Sequence, residues 1–86
     1  MTDEQELAWT ATPKRAPVLD SSGNKIGHVD SVLGDEDKDI FHGMAVNLRG
    51  FAGVVEVAAN RITSITTVAV HTDLADNEAS SLEPPS

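Results

Sequence analysis

Few folds accommodate residues 20–33, where Asp20-Ser21-Ser22-Gly23-Asn24 is followed by Lys25-Ile26-Gly27-His28-Val29-Asp30-Ser31-Val32-Leu33. Gly23 and Asn24 tolerate the positive φ that a tight reversal demands, so residues 21–24 predict a hairpin turn. The β-branched and apolar residues after the turn read as a strand, and Gly27 inside it marks a bend or a close backbone approach. Ile26, Val29 and Val32 recur at intervals of three, so strict alternation cannot place all of them on one face. An extra residue near Gly27 and His28 would restore the parity. A helix with the same spacing is opposed by Gly27, Gly34 and the β-branched residues.

The rest of the chain continues in short strands. Ala16-Pro17-Val18-Leu19 is apolar and contains a proline, which suits an edge strand pairing across the turn. Asp35-Glu36-Asp37-Lys38-Asp39 is a charged loop. After it Ile40, Met44, Val46 and Leu48 share a face interrupted at His42, with Phe41, Gly43, Ala45 and Asn47 opposite. Arg49-Gly50-Phe51-Ala52-Gly53 is a turn, and Val55 and Val57 lie on one face of the strand that follows. Ala59-Asn60-Arg61-Ile62 lacks alternation and predicts one helical turn near Asn60. Ile65 and Thr66-Thr67-Val68-Ala69-Val70-His71 make the last strand or pair of strands. The prediction is an all-β domain, a small, strongly bent β-barrel of five or six short strands, because closure hides the edges that a chain of 86 residues cannot otherwise cover.

Charge and composition restrict function. The net charge is −8, and the acids concentrate at the ends: Asp3, Glu4 and Glu6 in residues 1–11, and Asp76, Glu78 and Glu83 in residues 75–86. Both ends therefore read as flexible acidic tails around a domain of residues 12–74, the second one disordered because it has too little apolar surface to offset ordering. Thr2-Asp3-Glu4-Gln5 has the spacing of a helix capping box, and Pro13 ends any helix begun there. That segment reads either as a frayed tail or as a strap that docks Trp9, the single tryptophan, on the barrel or on a partner. The six bases Lys14, Arg15, Lys25, Lys38, Arg49 and Arg61 are scattered, which argues against direct nucleic-acid binding. With no cysteine, disulfides and thiolate metal sites are excluded. The acidic N-terminus and short apolar runs point to a cytoplasmic protein without membrane insertion.

The turn at Gly23 and the pattern G-x-x-I-G-x-V over residues 23–29, followed two strands later by Val55-Glu56-Val57-Ala58-Ala59-Asn60-Arg61-Ile62, resemble the PRC-barrel domain. That family takes its name from the cytoplasmic domain of the photosynthetic reaction centre H subunit and includes the C-terminal domain of the ribosome maturation factor. The resemblance spans residues 12–74. The family often has proline near Ala58 or Ala59, which this chain lacks. The resemblance implies a bent barrel that acts as a non-catalytic adaptor, stabilising or docking onto another macromolecule, with no catalytic residues and no cofactor.

Other chemistry is weakly supported by the residues. Asp35, Asp37 and Asp39 imitate the start of an EF-hand loop, but Ile40 stands where glycine is needed and Val46 where the bidentate glutamate belongs. His28, His42 and His71 would bind zinc only by converging from separate strands, and they read as surface or rim residues. No G-x-S-x-G elbow is present, and Asp20 reads as the residue that fixes its turn through backbone amides. The expected interaction surface consists of Trp9, Pro17, Leu19 and Phe51, serving a protein partner or a homodimer. Two alternatives remain: an accessory factor in ribosome maturation or RNA processing, favoured if Lys14, Arg15 and Lys25 form one patch, and a small ligand-binding barrel.

Overall fold

Asp20 anchors the first reversal: its Oδ1 accepts the amides of Ser22 at 3.0 Å and Asn24 at 2.9 Å. The Asp20 amide donates to Asn24 O at 2.9 Å, and the Gly23 amide to Asp20 O at 3.0 Å. Gly23 takes φ +86°, and the turn makes no such demand of Asn24. In this computed structural model, which describes residues 4–48, 53–75 and 78–84, the turn joins β1 (Pro17–Leu19) to β2 (Lys25–Asp35). There follow β3 (Ile40–Leu48), β4 (Val54–Ala58), a 3₁₀ turn (Ala59–Arg61) near the expected position, β5 (Ile62–Ile65) and β6 (Val70–Thr72).

The fold is all-β, with the six strands in one bent sheet ordered β4-β3-β2-β1-β6-β5. Among the described residues the expected closure into a barrel does not occur: β4 and β5 remain outer strands, and terminal segments cover parts of their free edges. Residues 5–7 run beside the end of β5, with Leu7 N donating to Ile65 O at 2.7 Å and Thr67 N to Gln5 O at 2.9 Å. At the other edge Glu56 N donates to Glu83 O at 2.8 Å. β1 is also placed differently from expectation. It is no edge strand, because it pairs antiparallel with β2 and parallel with β6.

Shifts of register bend the sheet and decide which side chains reach the core. Asp30 is extra in β2, so Val29 opposite Val46 and Val32 opposite Met44 share a face. A second extra residue, Ile26, falls between the β2 partners of Val18 and Leu19. The insertions thus flank the expected position at Gly27 and His28. In β3 the extra residue is His42, between the partners of Gly34 and Leu33. This reverses the parity beyond it: Phe41, expected opposite Met44 and Val46, packs against the core, while Ile40 is 43% exposed. Val18, Met44, Val46, Val57, Val70 and Leu74 are fully buried, each contributing about 1.5–3 kcal/mol by burial.

Both termini contribute to this packing. Residues 4–8 are extended rather than helical, because the edge beside β5 supplies their backbone partners, and a short 3₁₀ turn follows at Trp9–Ala11. Near the C-terminus a 3₁₀ turn spans Glu78–Ser81, and Leu82 packs against the core.

Candidate interaction surface

Trp9 stacks on Phe41 with ring centroids 5.4 Å apart and planes inclined by 15°. Its Nε1–H donates to Asp39 Oδ1 at 3.2 Å, and its ring passes close to Gly34. Trp9 therefore straps the far end of the β2–β3 hairpin. Pro17 and Leu19 are half-buried beside the near end of β2, opposite His28 and Lys25. Gly34 lies six residues beyond His28, about 20 Å along an extended strand. The expected surface thus divides into two separate regions, and Phe51 lies outside the described residues.

The acidic loop between β2 and β3 is organised around its own backbone. Asp35 Oδ1 accepts the amide of Asp37 at 3.1 Å and that of Lys38 at 3.4 Å, while Asp39 holds Trp9. Among the described residues no three His, Asp or Glu side chains gather where they could hold a metal ion, and no helix is long and apolar enough to cross a membrane.

The N-terminal strap borders an open polar groove of about 460 Å³ lined by Glu4, Glu6, Thr63, Ser64, Thr66 and His71. Glu4 Oε2 accepts the Thr66 hydroxyl at 2.5 Å and lies 2.6 Å from His71 Nε2. These contacts, that of Thr66 first, hold the Glu4 carboxyl below its usual range. A second cleft, about 280 Å³, joins Lys14 and Arg15 to Asp30 and Ser31. Lys25 does not line it and stands at the opposite end of β1, beside Leu19.

The outer edge of β4 is the site that residue patterns did not identify. Because the Glu56 amide points away from β3, the alternation of a strand directs the amides of Val54 and Ala58 outward as well, and those of Val55 and Val57 toward β3. Beside this edge is a groove of about 450 Å³ lined by Glu56, Ala58, Ser81, Leu82, Glu83 and Pro84. The C-terminal segment reaches it from an anchor at Arg61, whose guanidinium forks onto Glu78 at 2.7 and 2.8 Å and also donates to Asp73 at 2.6 Å. The Arg61 contact, helped by the Ala75 amide, holds the Glu78 carboxyl down at about 2. Alternation marked Val54–Ala58 as a strand, but only its missing neighbour makes Glu56 accessible to another segment. No model of a known protein family matches this sequence, and no curated protein matches it.

Proposed function

We propose that this chain is a non-catalytic adaptor of the PRC-barrel type that binds a protein partner. The observation that carries the reading is the edge of β4, an outer strand whose amide at Glu56 already donates to the C-terminal segment at Glu83 O. An outer strand whose amides point away from its neighbour offers main-chain pairing to an extended peptide, a common mode of recognition. The family assignment rests on the residues quoted for it. Their placement supports it: the G-x-x-I-G-x-V pattern spans the β1–β2 turn and the start of β2, and V-x-V-A-A-x-R-I spans β4 and its 3₁₀ turn. A cytoplasmic setting belongs to the same reading and rests on the absence of cysteine from so small a domain.

The net charge of −8 suits a basic protein surface better than RNA. The RNA-processing alternative calls for one patch of Lys14, Arg15 and Lys25, whereas only the first two share a cleft. Affinity purification of the full chain from its native cell at low and high salt, with mass spectrometry and light scattering, tests the proposal. One protein enriched at low salt and depleted at high salt is the expected result. Recovery of nucleic acid without a protein partner, or of the chain alone, overturns it, and the measured mass reports self-association.

A further inference from the structure

We infer that the outer edge of β4 docks an extended basic segment of a partner protein, and that the chain's own residues 82–84 occupy this edge until the partner displaces them. The inference rests on the protein-binding reading and specifies the chemistry of the partner. Three observations lead to it.

The first is main-chain geometry. The edge presents outward amides at alternate residues, and the C-terminal segment lies beside it with Glu83 O on Glu56 N at 2.8 Å. The second is charge. Glu56 is central in the edge, yet the segment covering it brings another carboxylate, Glu83, into the same groove. Two carboxylates lining one groove oppose each other, and a lysine or arginine in place of Glu83 would reverse the sign of that interaction. The same argument disfavours a second copy, since antiparallel pairing of two β4 edges centred on Glu56 sets Glu56 against Glu56. The third is the latch. Arg61 holds the segment through Glu78 but also holds Asp73, so release of the segment leaves Arg61 paired with Asp73. Leu82 adds an apolar contact with the core. The displacing segment is therefore extended, carries a basic residue facing Glu56, and has large aliphatic side chains available to replace Leu82.

The test titrates full-length protein with a fluorescein-labelled six-residue peptide of alternating lysine and leucine, followed by anisotropy at low salt. A matched glutamate–leucine peptide serves as the acidic control. Glu56→Lys reverses the central charge, and Glu56→Pro removes the outward amide while leaving the inward amides of Val55 and Val57 in place. Each should weaken binding of the lysine peptide about tenfold or more. Glu36→Lys, the same charge change in the exposed loop after β2, should alter it by less than about twofold. Glu78→Gln loosens the latch and should strengthen binding about threefold or more. The amide resonances of Leu82 and Glu83 should shift as the lysine peptide is added.

Equal binding of the acidic peptide, an equal loss with Glu36→Lys, or unchanged binding by Glu56→Lys and a folded Glu56→Pro overturns the inference, as does dimerisation through β4. If the partner purified from cells binds Glu56→Lys as well as the parent, the adaptor reading stands and the edge assignment falls. If the peptide binds at β4 but no protein is recovered from cells, the edge stands and the adaptor reading falls.

Discussion

Replacing Gly27 by alanine tests how the sheet acquires its bend. A Cβ at residue 27 would sit 2.1 Å from Asn47 O, 2.9 Å from Asn47 C and 3.0 Å from Leu48 Cα. A carbon approaching a carbonyl oxygen normally stops at about 3.3 Å, so β2 and β3 must separate by about 1 Å at the Gly27–Leu48 pair. All three obstructing atoms are backbone, so no side chain can rotate to relieve the contact. Overpacking of this kind costs about 1–3 kcal/mol, and the upper end applies here. Stiffening of the unfolded chain returns about 0.4–1 kcal/mol, leaving a net loss of about 2 kcal/mol. For a domain of this size that lowers Tm by about 8–16 °C. Urea denaturation followed by circular dichroism measures the loss. Gly23→Ala provides the contrast, because its Cβ meets nothing within 4 Å but its φ is +86°, and its cost of about 1 kcal/mol comes from the backbone alone. A Gly27→Ala variant within about 0.5 kcal/mol of the parent would refute the close-approach account.

Trp9→Ala removes the Phe41 stack and the bond to Asp39 and should destabilise the chain by about 2 kcal/mol in urea. A change in light-scattering mass with no loss of stability would instead place Trp9 in an interface. Asp20→Ala strands the amides of Ser22 and Asn24 and should cost about 2 kcal/mol by the same measurement; a neutral result would mean that Gly23 suffices for the turn. Acid should release the C-terminal segment. Glu78 has a folded pKa depressed to about 2 from an ordinary 4.5, so its contribution is present above pH 4.5 and disappears as pH falls through 2. Protection of the Glu56 amide, which donates to Glu83 O, should fall across that window and fall less in Glu78→Gln; unchanged protection down to pH 2 contradicts the latch.

Local chemistry made some of this structure legible and long-range pairing withheld the rest. Asp20 and Gly23 specify their turn within five residues, and Ala59-Asn60-Arg61 interrupts alternation where the chain makes its 3₁₀ turn. The threefold spacing in β2 showed that a residue had to be inserted, but placement at Ile26 and Asp30 depends on two different neighbouring strands. Likewise His42 was visible as an interruption in β3, whereas its effect, turning Phe41 inward, depends on pairing with β2. Polarity suggested that residues 1–11 and 75–86 would be tails. Glu4 nevertheless meets Thr66 and His71, and Glu78 meets Arg61, across separations that composition does not encode. Trp9, Pro17 and Leu19 were grouped by residue type, but the sheet assigns them to different ends of β2.

The parallel pairing of β1 with β6 sets the order in which a nascent chain can become this protein. Val18 pairs with Val70, so the strand next to the first turn lacks its second neighbour until almost the whole domain has left the ribosome. The β1–β2 and β2–β3 hairpins can assemble earlier, but β1 would then end the sheet as an apolar strand with unshared main-chain groups, a template for pairing between chains. Non-local closure of this kind belongs to the slower, millisecond-to-second class of folding reactions. A polypeptide stopped just before β6 therefore leaves β1 as an open edge, and three further residues, Val70, His71 and Thr72, supply its missing neighbour.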